Sequence, residues 1–193
     1  AGNGLEAIKV VKSIPILPEN LDATSLNQFL GQLRMIKTPE EIKLLRKAID
    51  VSCIGQNEVM KAMHPKMSEM EIKGIHEFVY RKYGSEFEGY PSIVGSGHNA
   101  CVLHYIENNR QTVSTDLVLM DLGAEYHGYT ADITRTIPGD GTFSTEQAAI
   151  YDLVYQAQEE AFKICKPGTA IRETTRVSRE IIDKGLTKLG IIK

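Results

Sequence analysis

The sequence predicts an α+β fold, with helices set apart from one antiparallel β block. Three observations lead there. Capping signatures at Thr38-Pro39-Glu40-Glu41, Ser68-Glu69-Met70-Glu71 and Ser144-Thr145-Glu146-Gln147 each open a stretch of helical apolar spacing. Residues 87–136, between the second and third, read as β. Inside that block, residues 118–136 read as two strands joined by a tight turn, with one carboxylate in each arm. A chain of 193 residues suffices for one core and is too short for two full-sized domains.

Composition narrows the classes. The 42% hydrophobic and 24% charged content is ordinary for a globular protein. A formal net charge of −3 gives no electrostatic footprint for nucleic acid or an anionic membrane. No apolar run approaches a membrane span, and the first residues lack the basic and apolar regions of a signal peptide. Cys53, Cys101 and Cys165 are widely spaced and form no CxxC. They are expected to be reduced, small buried apolar residues of a cytoplasmic protein.

Residues 1–37 differ in texture. Ile8 to Val11 could form a short strand, Pro15 and Pro18 interrupt the next stretch, and Leu21 to Leu33 carries only a weak helical pattern. The segment has little to bury and is expected to be the tail of a preceding domain or a linker, with the main domain at 38–193.

From Thr38, the N-cap, and Pro39, at the first helical position, Ile42, Leu45, Ile49, Cys53, Met60 and Met63 follow helical spacing until His64-Pro65. The Ser68 capping box opens a helix with Ile72, Ile75 and Val79 on one side. His64 is expected as an exposed cap and His76 as a helix-surface residue.

Strands are expected at Phe87 to Val94, Cys101 to Tyr105, Thr112 to Asp121 and Tyr129 to Thr136, with a polar turn at 107–110. Gly95-Ser96-Gly97 is not a phosphate loop, because no Lys follows and no helix is next. A cysteine nucleophile at Cys101 beside His104 is disfavoured, because three residues along a strand reverses the face. Ile150, Val154, Ala157, Ala161 and Ile164 mark a helix face that ends at Pro167-Gly168. A last helix covers about Ala170 to Leu189, with Arg172, Arg176 and Arg179 as a solvated face.

The carboxylates carry the chemistry. The sum of their positions is odd, which requires an even-length loop, for example a two-residue turn at Tyr126-His127. Asp121 and Asp132 would then oppose each other with Cβ atoms about 5 Å apart. Like charges so placed need a cation between them, and hard oxygen ligands suit Mn²⁺ or Mg²⁺. The alternative is that the two lie on opposite faces, or that one caps the turn. Asp121 directly follows an apolar run, and buried charge seldom lacks a partner.

The run Met120-Asp121-Leu122-Gly123-Ala124-Glu125-Tyr126-His127-Gly128-Tyr129-Thr130-Ala131-Asp132-Ile133-Thr134-Arg135-Thr136 resembles the first metal-ligand segment of the pita-bread (creatinase/aminopeptidase) metallopeptidases, most closely the Xaa-Pro aminopeptidases. Residues 95–105 upstream, including Leu103-His104-Tyr105, and residues 138–144 downstream match in the same order. The resemblance runs from about Leu33 to the last residue. It implies half of a pita-bread fold, with helices packed on a curved antiparallel sheet. It implies two divalent metal ions, Mn²⁺ the expected pair, with Asp121 binding one through both oxygens and Asp132 bridging the two. His104 would be a catalytic residue that is not a ligand, aimed at the tetrahedral intermediate. Thr134 and Arg135 would support the ligands, while Glu125 and His127 are turn residues.

By the same resemblance the substrate is a peptide with proline at the second position, and the expected assembly is a homodimer. A ligating His and two ligating Glu residues of the family have no counterpart here, so the chain is expected to be a metal-poor, inactive portion of a longer enzyme. Prolidase, acting on Xaa-Pro dipeptides, is the enzymatic alternative; methionine aminopeptidase fits the Leu-His-Tyr run poorly. A metal-free pita-bread binding module is the non-enzymatic alternative.

Overall fold

The structure, a computed structural model, describes residues 22–193. The strand expected at Ile8 to Val11 and the breaks at Pro15 and Pro18 lie outside the described residues. The chain divides into two compact units between Leu44 and Leu45. In the first, helix α1 (Ala23–Met35) is more regular than its weak pattern suggested. Asp22 caps it, its Oδ1 accepting from Ser25 N at 2.9 Å.

Helix α2 (Pro39–Ala62) begins at the expected capping box: Thr38 N donates to Glu41 Oε2 at 2.6 Å, and Glu41 N to Thr38 Oγ1 at 3.2 Å. Its buried stripe in the second unit is Ala48, Val51, Ser52, Gly55, Gln56 and Val59. That corrects the expected face, since Ile49, Cys53 and Met60 are exposed. Small residues win this face because the neighbouring helix comes close: a Cβ on Gly55 would lie 2.9 Å from His76 Nδ1.

Helix α3 (Glu69–Lys82) has the full Ser68/Glu71 capping box. His76 is fully buried on it, not a surface residue. It sits four residues from both Ile72 and Tyr80, which share its burial, so the inward stripe runs through it. Cys53, Cys101 and Cys165 are likewise exposed where burial was expected.

The β block is more broken than its composition suggested. Two short strands, β1 (Phe87–Glu88) and β2 (Ile93–Ser96), replace one. Residues 97–101 form a 3-10 turn and 102–116 contain no strand, so the expected Cys101 to Tyr105 strand does not form. The next strand is shorter, β3 (Leu117–Leu122), and the hairpin then runs through β4 (Ala124–Tyr126), β5 (Tyr129–Thr130) and β6 (Ile133–Pro138). All pairings are antiparallel, in two sheets ordered β1-β4-β5 and β2-β3-β6.

Strand β3 alternates strictly. Val118, Met120 and Leu122 join Val51, Val59, Ile72 and Tyr80 in one core, which lays α3 and the second-unit part of α2 on that face. Leu117, Leu119 and Asp121 point the other way. Helices α4 (Thr145–Lys163), opened by the Ser144/Gln147 capping box, and α5 (Ile171–Lys188) complete the chain. They pack closely at Gly185, where a Cβ would meet Leu153 Cδ1 at 2.1 Å. Buried residues on α4 are Leu153, Ala157 and Ala161, whereas Val154 of the expected face is 53% exposed. Arg176 of α5 is solvated as expected, bonded to Glu173 and Glu180.

Candidate metal-binding and catalytic site

The hairpin turn is His127-Gly128, one residue later than expected. Both residues have positive φ, 48° and 83°, as a two-residue turn matched to strand twist requires. Shifting the turn by one residue moves every pairing by two. Asp121 therefore pairs with Thr134, and Asp132 is its diagonal neighbour rather than its direct opposite. A shift of two preserves the face, because side chains alternate with period two. The expected direct opposition is wrong, and the expected common face is right.

Between the two acids the ladder is pinched. A Cβ on Gly123 would lie 1.7 Å from Ala131 O, so no other residue fits there without moving the backbone. Helix α2 satisfies the polar groups around this break. Gln56 Nε2 donates to Met120 O at 3.3 Å and to Ile133 O at 3.0 Å, one residue from each aspartate. Ser52 Oγ accepts from Ala124 N at 2.8 Å and donates to Ala48 O. These buried side chains complete a ladder that the two strands alone leave open.

The carboxylates converge on one hydroxyl. Tyr90 Oη lies 2.6 Å from Asp121 Oδ1 and 3.1 Å from Asp132 Oδ1. A phenol has one proton to donate, so it can satisfy only one of the two at a time. Burial pushes the Tyr90 pKa up, and the hydrogen bond to Asp121 and the charges of both aspartates push it further, so the hydroxyl stays protonated. Asp121 is half-buried and Asp132 exposed. Both line a cavity of about 390 Å³ together with Tyr90, Pro91, Ile93, His104 and Ile106.

His104 thus meets the two aspartates at one cavity, though from a loop and not from a strand. Its φ is +55°, which a side chain with a Cβ adopts only under local constraint. Two buried neighbours supply that constraint. Tyr105 Oη donates to Glu69 Oε2 at 2.7 Å. Asn108 Oδ1 accepts from Val94 N at 2.7 Å, and its Nδ2 donates to Ser92 O and Ile106 O, both at 2.9 Å.

His127 is a turn residue, as expected, with its Nδ1 2.8 Å from Glu86 Oε1, whereas Glu125 lies on β4 and only its side chain reaches the turn, Oε1 accepting from Gly128 N at 2.5 Å. Thr134 and Arg135 are exposed, and Arg135 Nη1 donates to Thr134 O. Thr134 is the ladder partner of Asp121, but among the described residues no hydrogen bond ties either side chain to the carboxylates. Sequence reasoning missed Tyr90, Gln56, Glu69 and Asn108. Glu69 was visible only as part of a helix start, and Tyr90 only as the residue before Pro91.

Two adjacent carboxylates sharing a single proton donor suit a hard divalent cation, so the donor set fits part of a metal site. Among the described residues, no group of three or more His, Cys, Asp and Glu could hold an ion. Further ligands are needed for a stable centre.

The chain belongs to metallopeptidase family M24, whose model matches residues 43–191. The family implies divalent metal ions and hydrolytic chemistry. The Xaa-Pro aminopeptidase of Escherichia coli K12 is 41% identical over 162 residues, covering 84% of this chain and 37% of its own length. The mitochondrial intermediate cleaving peptidase 55 of Arabidopsis thaliana is 40% identical over 169 residues, covering 88% and 34%.

Among solved structures, zinc-substituted E. coli aminopeptidase P in complex with product superposes with a TM-score of 0.82 at 41% identity, over 83% of this chain and 37% of that one. Pseudomonas aeruginosa aminopeptidase PepP gives 0.84 at 38% identity, over 87% and 38%. The fold is that of the pita-bread aminopeptidases, and the chain spans little more than a third of the length of these relatives.

Proposed function

We propose that this chain carries the first part of the active site of a metal-dependent Xaa-Pro aminopeptidase. The observation that carries the reading is the convergence of Asp121 and Asp132 on the Tyr90 hydroxyl, in the cavity that His104 also lines. Asp121 and Asp132 act as metal ligands, and the remaining ligands come from outside the described residues. Two divalent cations, Mn²⁺ the expected pair, would supply a water of lowered pKa and a polarised carbonyl.

The chain's own residues do the rest. Tyr90 donates to Asp121 and so fixes which carboxylate oxygen faces the cavity. His104 donates a hydrogen bond to the substrate carbonyl oxygen as negative charge develops there, an interaction stronger in the transition state than before it. The substrate is a peptide with proline second, and the enzyme releases the residue before it.

On this reading residues 1–37 are the tail of a preceding domain and 38–193 the first part of the catalytic one, in a homodimeric cytoplasmic enzyme. No described helix is long and apolar enough to cross a membrane. The Arabidopsis relative is mitochondrial, so a fractionation experiment decides the compartment.

The test is hydrolysis of Xaa-Pro-Xaa tripeptides and Xaa-Pro dipeptides by the Mn²⁺-loaded polypeptide in which this chain is joined to the remaining ligands. Tripeptide cleavage before proline, lost in Asp121→Asn, is the expected result. Cleavage of dipeptides alone identifies a prolidase. Loss of both activity and Mn²⁺ binding from the wild-type polypeptide identifies a metal-free binding module.

A further inference from the structure

Glu69, the first residue of α3, is fully buried. Its Oε1 accepts from Ser96 N and Ser96 Oγ, both at 2.7 Å, and from Asn99 Nδ2 at 3.2 Å. Its Oε2 accepts from Tyr105 Oη at 2.7 Å and from Arg110 N at 3.0 Å. Ser96 and Arg110 are the two ends of the loop that carries His104, and Asn99 and Tyr105 lie within it. Two further bonds close the neck: Arg110 Nη1 donates to Ser96 O, and Glu69 N donates to Arg110 O, both at 3.0 Å. Tyr105 Oη also accepts from Asn109 N at 3.0 Å.

An ionised carboxylate offers about four acceptor sites, and here the loop occupies all of them. Among the described residues no hydrogen bond holds the His104 ring itself, so its position is set by the backbone on either side. That backbone is anchored at the very next residue, Tyr105, which is buried while Leu103 is 87% exposed. Stability alone does not call for a charge at Glu69, since replacing the carboxylate and its donors together by apolar groups of the same shape can be nearly neutral, whereas removing the carboxylate alone strands the donors. A charge that gathers five donors from one loop has a geometric use: it selects a single loop conformation.

We propose that Glu69 is the positioning residue of the His104 loop, drawing both loop ends and the Tyr105 side chain onto one buried carboxylate and thereby setting where the His104 imidazole meets the cavity. This rests on the reading of His104 as the group that meets the substrate carbonyl. A reacting group displaced by about 1 Å commonly loses about a hundredfold in rate, so the anchor acts on turnover more than on substrate binding.

The test uses two variants, Glu69→Gln and Tyr105→Phe. The second removes one hydroxyl, leaves the ring in place, and decides the matter if the first fails to fold. In the 193-residue chain without metal, histidine ring resonances and amide exchange are followed by NMR. The expected result is a shift of the His104 ring signals and exchange at least about tenfold faster in residues 97–110, with the His127 ring and helix α4 unchanged. In the metal-loaded peptidase, Tyr105→Phe is expected to lower kcat about tenfold with KM altered less than about twofold.

Unmoved His104 signals, exchange accelerated equally across the whole unit, or an unchanged kcat would each overturn the proposal. Because the NMR arm needs neither substrate nor metal, it decides the positioning claim even if the wild-type protein proves not to be a peptidase.

Discussion

Helix α3 buries two titratable side chains seven residues apart, and they live in opposite surroundings. Glu69 at its first turn and His76 two turns on are both fully shielded from water. Glu69 is met by donors from Ser96, Asn99, Tyr105 and Arg110. Neither ring nitrogen of His76 has a hydrogen-bond partner among the described residues; it packs against Gly55 and Tyr80. Burial depresses the His76 pKa to about 4, so the ring is a neutral core side chain at pH 7. Burial alone would raise the Glu69 pKa, but the bonds from Tyr105, Ser96 and the Arg110 backbone outweigh it and hold the carboxyl below its usual range. One helix thus shows both solutions to a buried ionisable group: solvate it with protein, or leave it uncharged.

The sharpest break between the two sites comes from replacing each with leucine. Glu69→Leu strands Ser96 N and Arg110 N without their acceptor, and is expected to cost roughly 3–5 kcal/mol in urea unfolding at pH 7. His76→Leu removes no hydrogen bond and is expected to change stability by less than about 1.5 kcal/mol. Equal losses at the two positions would erase the contrast.

Acid should separate them next, by window. For His76 the folded pKa lies below the ordinary 6.5, so the unfolded chain takes up the proton first. Stability therefore falls as pH drops from about 6.5 towards about 4, by up to roughly 3 kcal/mol, and this contribution levels off below that. For Glu69 the folded pKa lies below the ordinary 4.5, so its stabilisation is intact above that value and is lost as pH falls beneath it. Urea midpoints measured between pH 7 and pH 4 should slope in wild type and flatten in His76→Leu. A slope unchanged by that substitution would assign the acid sensitivity elsewhere.

The smallest of the three effects concerns the sheet. Gln56 is the α2 counterpart of Glu69, a buried polar group that holds backbone beside the site, but it is neutral and spans only two carbonyls. Gln56→Leu is expected to cost about 1–3 kcal/mol by calorimetry, less than Glu69→Leu because no charge is involved.

What the sequence showed and what it hid divide along the same line. The three capping boxes were legible because each is a contact within four residues, and all three form. The two-residue turn and the shared face of Asp121 and Asp132 were legible from parity. Their diagonal offset was not, because parity cannot tell His127-Gly128 from Tyr126-His127. The strand expected at Cys101 to Tyr105 failed because its β-forming residues belong to a loop tied down by distant contacts, Tyr105 to Glu69 across 36 residues and Asn108 to Val94 across 14. His76 and Glu69 were hidden for a similar reason: helical spacing places a residue on a face, but only the packed neighbours decide whether that face is wet.

On the proposed reading, Asp121 and Asp132 form a cation site beside His104. Its most direct test is a titration of this chain with Mn²⁺, followed by paramagnetic broadening of backbone amide signals. Broadening that begins at Tyr90, His104, Asp121 and Asp132, and disappears in Asp121→Asn, is the predicted result. Broadening centred elsewhere, or unaffected by that substitution, would contradict the claim.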